Sequence, residues 1–342
     1  MDTVINNFNS EQKILKYTDK IDYYLNGHKT LIVTELDLTN RCNNNCPGCC
    51  GVKENGAELS QEQINLVIQS LSAMDCKGVI LSGGGEPLIS PHFIYALIEL
   101  RRHGLKVGIN SNGLALTEEL AQLIADNCEY FRISLDAASA EMYQKTHGMP
   151  SSAFEQTKKN IEMFSRIKRA CHSKVSFGVG FLTSEDTAEE MSDFVDLVKR
   201  CGADFAQFRP FTGNLFDITE KYLQIKEKYE TPDFGVRASL QKYKEMQSGG
   251  TRSYSRCHGM FFSTVVTADA KVFACLHHRQ EKDYYLGEIN EQISLEDIFR
   301  SARMRQVYEN IDCSLCPNMC RNDAFNRTLE RLFEDVVHSE FL

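Results

Sequence analysis

Apolar and polar positions along this chain follow two alternating rhythms. Short runs rich in β-branched and aromatic residues stand at 30–38 (TLIVTELDL), 78–84 (GVILSGG), 106–112 (KVGINSN), 131–136 (FRISLD), 174–181 (KVSFGVGF) and 205–211 (FAQFRPF). Between them, apolar residues recur every third or fourth position at 60–74, 90–104, 117–127, 151–170 and 189–202. The first rhythm predicts strands and the second amphipathic helices. Ser60 and Thr117 are suited to cap helix starts, and Gly104 and Gly202 to close helix ends. Six strands alternating with helices imply an α/β fold with a parallel sheet and helices outside it. With right-handed crossovers, six such units predict a partial (β/α)6 TIM-like barrel. Loops at the C-terminal ends of its strands would build the site.

The rest of the chain divides around that barrel. Residues 1–29 form a polar N-terminal extension, 30–215 the barrel and 216–256 a polar, mostly helical bridge. Residues 257–342 form a small cysteine-bearing unit that opens with a hairpin at 261–275, its turn at Asp269-Ala270. No run approaches the ~20 apolar residues of a membrane span. The first twenty residues lack a basic region followed by an apolar stretch, so the chain reads as cytoplasmic. A net charge of −9 argues against a nucleic-acid or anionic-membrane partner, which calls for a basic surface.

Thirteen cysteines are many for a reducing compartment, where clustered thiols bind metal or do chemistry. Cys76, Cys128, Cys171 and Cys201 are scattered and read as small buried hydrophobes. Cys42, Cys46, Cys49 and Cys50 share one loop directly after the first strand. The first three, spaced C-x3-C-x2-C, can hold three irons of a [4Fe–4S] cube and leave the fourth without a protein ligand. An open metal position marks a catalytic centre. On spacing alone, a zinc site completed by Cys50 and a loop of unrelated thiols remain alternatives. Cys257, Cys275, Cys313, Cys316 and Cys320 form a second group, which spacing divides evenly between a four-thiolate zinc knot and an iron–sulfur cluster.

The first loop resembles the signature of the radical S-adenosylmethionine (radical SAM) superfamily. Its members chelate the open iron with the amino and carboxylate groups of S-adenosylmethionine and cleave that cofactor to methionine and a 5′-deoxyadenosyl radical. In the superfamily a GGEP segment after the second strand binds the amino group, and Gly84, Gly85, Glu86 and Pro87 match it. INSNG (109–113) and RISLDA (132–137) resemble the polar strand ends that line the cavity. The resemblance implies a ribose contact from Ser134 and a cavity wall including Asn112 and Asp136. Arg209, on the sixth strand, would pair with a carboxylate of cofactor or substrate, a structural ion pair being its alternative. One departure is Gly48, where an aromatic often precedes the third cysteine, so adenine stacking is expected from elsewhere. Cys50 lies outside the motif.

A cysteine before a hairpin, LGEI (286–289), SLEDIF (294–299) and a closing C-x2-C-x3-C resemble the SPASM/twitch extension of the same superfamily. Five cysteines imply the shorter form with one auxiliary [4Fe–4S] cluster. Cys257, Cys275 and Cys316 would be ligands, while Cys313 and Cys320 compete for the fourth place. The implied activity is hydrogen abstraction from an unactivated carbon, with an oxidation assisted by the auxiliary cluster. No side chain stands out as catalytic; His277 and His278 would sit either near substrate or on the surface.

Peptide-modifying members often carry an N-terminal precursor-binding domain, and about thirty residues precede the first strand here. The expected substrate is therefore a small polar molecule (sugar, cyclitol or nucleotide derivative), with a peptide or protein as alternative. A reading of another class is a non-catalytic iron–sulfur or zinc protein. The enzyme reading implies a low-potential electron donor such as flavodoxin or ferredoxin.

Overall fold

The strands form where the apolar runs place them, and alternate residues divide between two faces. The computed structural model describes residues 11–49, 51, 56–211, 216–240, 242–243, 252–317, 320–334 and 337–338. Within these, the six expected strands are β1 (Val33–Asp37), β2 (Gly78–Ser82), β3 (Lys106–Ser111), β4 (Tyr130–Ser134), β5 (Ser176–Thr183) and β6 (Phe205–Pro210). They pair in chain order, all parallel. The expected helices lie between them at Gln61–Ala73, Phe93–Arg102, Glu118–Asn127, Ser151–Ala170 and Met191–Arg200. Ser60 and Thr117 accept the capping hydrogen bonds expected of them, and Gly104 and Gly202 adopt positive φ.

One face of the sheet packs on these helices through aromatic rings. Phe177 lies 5.6 Å from Phe131 and 4.5 Å from Phe164, centroid to centroid. Farther along, Phe181 meets Phe194 and Phe208. All six are fully buried, and truncating one to Ala costs about 3–5 kcal/mol. The opposite face carries the polar set Glu35, Asp37, Arg132, Ser134, Gln207 and Arg209.

The segment from 216 to 256 differs from the expected helical bridge. It holds a helix, Thr219–Tyr229, and then a seventh parallel strand, β7 (Gly235–Ala238), on β6. Four residues are too few to display a period, so the strand left no pattern. The C-terminal hairpin also reaches further than expected. Its first strand, β8 (Ser263–Val266), pairs parallel with β1; β9 (Lys271–Phe273) and β10 (Tyr285–Glu288) continue antiparallel. The result is one ten-stranded sheet in the order β10-β9-β8-β1-β2-β3-β4-β5-β6-β7.

A buried ionic cluster ties the same two regions together. Arg279, just past β9, reaches Glu35 at 2.5 Å and Asp37 at 3.4 Å, and Arg321 reaches Glu35 at 3.1 Å. Burial raises the Glu35 carboxyl, but the two arginines outweigh it and hold its pKa below the usual range. At Asp37 burial wins, and the pKa rises to about 7. No helix among the described residues is long and apolar enough to cross a membrane.

Candidate functional site

The loop after β1 is built from its backbone outward. Gly85 N donates to Thr39 O at 2.8 Å and Glu86 N to Arg41 O at 2.8 Å, so the glycine strip after β2 lies flat against the cysteine loop. A Cβ at Gly84 would overlap Asn40, and one at Gly85 would overlap the Arg41 backbone. The glycines thus permit an approach between two pieces of protein backbone.

Glu86 is turned inward onto its own loop and the end of β3. It is 3% exposed and accepts from Leu88 N at 3.1 Å, Ser111 Oγ at 2.7 Å and Asn112 N at 2.7 Å. Burial raises its pKa against the pull of these donors. Pro87 opens the short turn Pro87–Ile89 that Glu86 caps. Asn112 is a brace as well: its Nδ2 donates to Asn43 Oδ1 at 2.6 Å and lies 3.9 Å from Cys42 Sγ.

Asp136, expected in the cavity wall, is buried and anchored to the neighbouring strand. It takes a positive φ of 50° at the end of β4, and Oδ1 accepts from Leu182 N at 2.7 Å. Ser134 is half-buried on the inner face of β4, opposite Gly180 of β5. Arg209 is half-buried on the inner face of β6, and no acid stands within ion-pair distance of it among the described residues.

Cys42 and Cys46 are half-buried and Cys49 is exposed; Cys50 lies outside the described residues. Every one of the three sulfurs has a nitrogen beside it. Asn44 N donates to Cys42 Sγ at 3.4 Å, Gly51 N donates to Cys49 Sγ at 3.3 Å, and His147 Nδ1 stands 3.3 Å from Cys46 Sγ. The two backbone donors favour the thiolate at Cys42 and Cys49, the form that binds iron, while His147 gives its Nε2–H to Leu135 O at 2.9 Å and so leaves Nδ1 as a base beside the Cys46 thiol; the set fits thiolate ligands of a cluster. His147 was not legible in the sequence. It ends a polar helix, Ala140–His147, whose Gly148 cap has φ 63°, and its carbonyl accepts from Asn45 N at 3.1 Å. At Gly48 a Cβ would overlap the ring of Phe211, which arrives from the end of β6. An aromatic therefore borders the third cysteine from another strand.

The five C-terminal thiols also converge. Cys320 lies within electrostatic reach of Cys275, Cys316 of Cys313, and Cys257 of both Cys320 and Cys316. His277 N donates to Cys275 Sγ at 3.4 Å, Asn322 N to Cys320 Sγ at 3.4 Å and Asn326 Nδ2 to Cys257 Sγ at 3.7 Å. This donor pattern again fits thiolate ligands. Among the described residues, no three His, Cys, Asp or Glu side chains close to the geometry of a single metal ion. Arg252 laces this loop, donating to Cys313 O at 2.6 Å, Cys316 O at 3.0 Å and Pro317 O at 2.8 Å while pairing with Asp323 at 3.0 Å. His278 stacks on Tyr284 at 3.8 Å and pairs with Glu281, and His277 beside it is half-buried.

Comparison with known proteins agrees with this layout. Residues 36–197 match the model of the Radical SAM superfamily, and 257–322 match that of an iron–sulfur cluster-binding domain, SPASM. An AdoMet-dependent heme synthase of Methanosarcina barkeri is 30% identical over 49% of this chain and 47% of its own length. The sporulation killing factor maturation protein SkfB of Bacillus subtilis is 28% identical over 80% of this chain and 65% of its own. The chain thus spans about half to two thirds of the length of these relatives. In fold it is similar to SuiB of Streptococcus suis, solved with precursor peptide SuiA, at TM-score 0.68 and 11% identity over 96% of this chain and 80% of that one. The cofactors of such proteins are a [4Fe–4S] cluster with S-adenosylmethionine, and auxiliary iron–sulfur in the SPASM domain. With both domains matched in order on one sheet, the chain belongs to the radical SAM superfamily, in the group that carries an SPASM domain.

Proposed function

We propose that this chain is a radical SAM enzyme that modifies a peptide. Cys42, Cys46 and Cys49 hold the [4Fe–4S] cluster that binds S-adenosylmethionine. Cys257, Cys275 and Cys316, with Cys313 or Cys320, hold one auxiliary [4Fe–4S] cluster. The observation that carries the reading is the cysteine loop, where each of the three sulfurs has a nitrogen against it at the C-terminal end of β1. When bound, these groups supply the electron that cleaves the cofactor to methionine and a 5′-deoxyadenosyl radical, and an acceptor for the electron left on the substrate after hydrogen abstraction.

The chain's own residues orient and shield. Glu86 and Asn112 fix the loop, Phe211 offers a flat apolar wall to the adenine beside Gly48, and Ser134 offers a hydroxyl to the ribose. The reductant is a low-potential one-electron donor.

A peptide replaces the small polar substrate expected from the sequence. A relative aligned over 80% of the chain is a maturation protein, whereas the heme synthase aligns over 49%. SuiB, of the same fold, was solved with its precursor peptide.

Anaerobic reconstitution with iron and sulfide, followed by dithionite and S-adenosylmethionine, tests the radical chemistry. The wild type is expected to release 5′-deoxyadenosine and the Cys42/Cys46/Cys49→Ala triple variant none. Product from the triple variant would overturn the ligand assignment.

A further inference from the structure

On the sheet's polar face, two arginines converge over a glycine. Arg132 and Arg209 point inward from β4 and β6, and Gly180 of β5 lies between them. A Cβ built on Gly180 would stand 3.7 Å from Arg132 Cδ and 3.7 Å from Arg209 Nη2. Arg132 Nη1 donates to Gln207 Oε1 at 3.0 Å. The Nε of Arg132 and the Nε of Arg209 are buried and have no partner. The nearby acids are already engaged: Glu35 by Arg279 and Arg321, Asp37 by Arg279, and Asp136 by the Leu182 amide. Burial first, and then the like charge of Arg209, pull the Arg132 pKa down to about 9. Two guanidiniums held together, offset only by Asp136 and Glu35, which are themselves engaged elsewhere, are costly, and an anion beside them would relieve that cost.

We propose that Arg132 and Arg209, facing each other across Gly180, bind a carboxylate of the substrate, so that the accepted peptide presents an Asp or Glu side chain or a chain terminus at this point. This deepens the peptide reading above and rests on it. A carboxylate suits the pair because each planar guanidinium offers parallel N–H donors matched to two oxygens. The pair lies on β4–β6, whereas the cysteine loop packs on the ends of β1–β3 and on the helix Ala140–His147. In the reading above, the methionine end of the cofactor is held at the cysteine loop, which leaves the pair on β4 and β6 for a carboxylate of the substrate.

The test uses the full chain, anaerobically reconstituted and saturated with S-adenosylmethionine. It is titrated with N-acetylglutamate methylamide and with the matching glutamine compound, binding being read by the shift in thermal unfolding. Only the glutamate compound should bind, and Arg132→Gln and Arg209→Gln should each weaken it by about tenfold or more, the effect of losing a charge-assisted pair. Arg209→Lys, which keeps the charge and loses the fork, should fall between. Equal binding of the two compounds, or unchanged binding in the glutamine variants, would overturn the proposal. So would a tenfold loss of S-adenosylmethionine affinity in both variants by equilibrium dialysis, since that assigns the pair to the cofactor. 5′-Deoxyadenosine release by the wild type is scored separately, so failure of the radical reading is seen apart from failure of the carboxylate site.

Discussion

Replacing Glu86 by Gln isolates what the buried carboxylate does. In the native protein Oε1 accepts from Leu88 N and Ser111 Oγ, while Oε2 accepts from Asn112 N. An amide has a single acceptor oxygen. Whichever way it is turned, its NH2 group faces either the Asn112 N–H or the Leu88 N–H, and one buried backbone donor is left unpaired. The Ser111 hydroxyl can rotate to accept, so it adds little. An orphaned backbone donor of this kind costs about 1–3 kcal/mol, which speeds local opening by about 5- to 150-fold. Because Asn112 also holds Asn43, the loosening should spread to the Cys42 loop. Native-state hydrogen exchange of the reconstituted protein, followed by mass spectrometry over residues 86–90 and 109–115, reads this effect directly. Unchanged exchange at both amides together with lost S-adenosylmethionine affinity would refute the reasoning, because Glu86 would then act on the ligand and not on the loop.

Three other outcomes are expected. Arg279→Leu strips Asp37 of its cation and leaves Glu35 with Arg321 alone; breaking a buried pair in this way should cost about 3–5 kcal/mol, seen as a lower urea midpoint. Asp37 has a pKa of about 7 in the folded protein against 3.8 ordinarily, so the folded state holds the extra proton between those values. Its contribution to stability is full below the lower value and is lost as pH rises through the upper one, so Asp37→Asn should flatten the fall in urea midpoint between about pH 4 and about pH 7. Arg252→Met removes the donor to three loop carbonyls and the partner of Asp323; in a Cys42/Cys46/Cys49→Ala background, where only auxiliary iron is counted, iron per chain after reconstitution should fall.

The sequence made legible those elements long enough to show a period and those motifs whose spacing is local. The six barrel strands and five helices each run at least five residues with a repeated apolar position, and the cysteine loop sits on contiguous chain. The four-residue β7 has no such repeat. The helix Ala140–His147 buries Met142, Tyr143 and His147 in an otherwise polar stretch, and only its Ser139 and Gly148 caps mark it. Roles that depend on which way a side chain turns were hidden for a different reason. Glu86, Asn112 and Asp136 lie at the strand ends where cofactor contacts were expected, but each spends its polar atoms on neighbouring backbone or loop. Arg132 opens the RISLDA strand end, but nothing in that stretch marks it as half of a pair. Its pairing with Arg209 exists only because Gly180 lies between β4 and β6 in the sheet, which spacing along the chain does not reveal.

The pairing of β8 with β1 has a consequence for dissection of the molecule. The register runs from Val33 opposite Ser263 to Leu36 opposite Val266, so the first barrel strand takes one of its two neighbours from beyond residue 256. A fragment cut before Cys257 would bare that flank of β1 as an unprotected margin and abandon Glu35 and Asp37 beside it without their arginines. Such a fragment should stick to copies of itself, which makes the barrel a poor candidate for study as a severed piece.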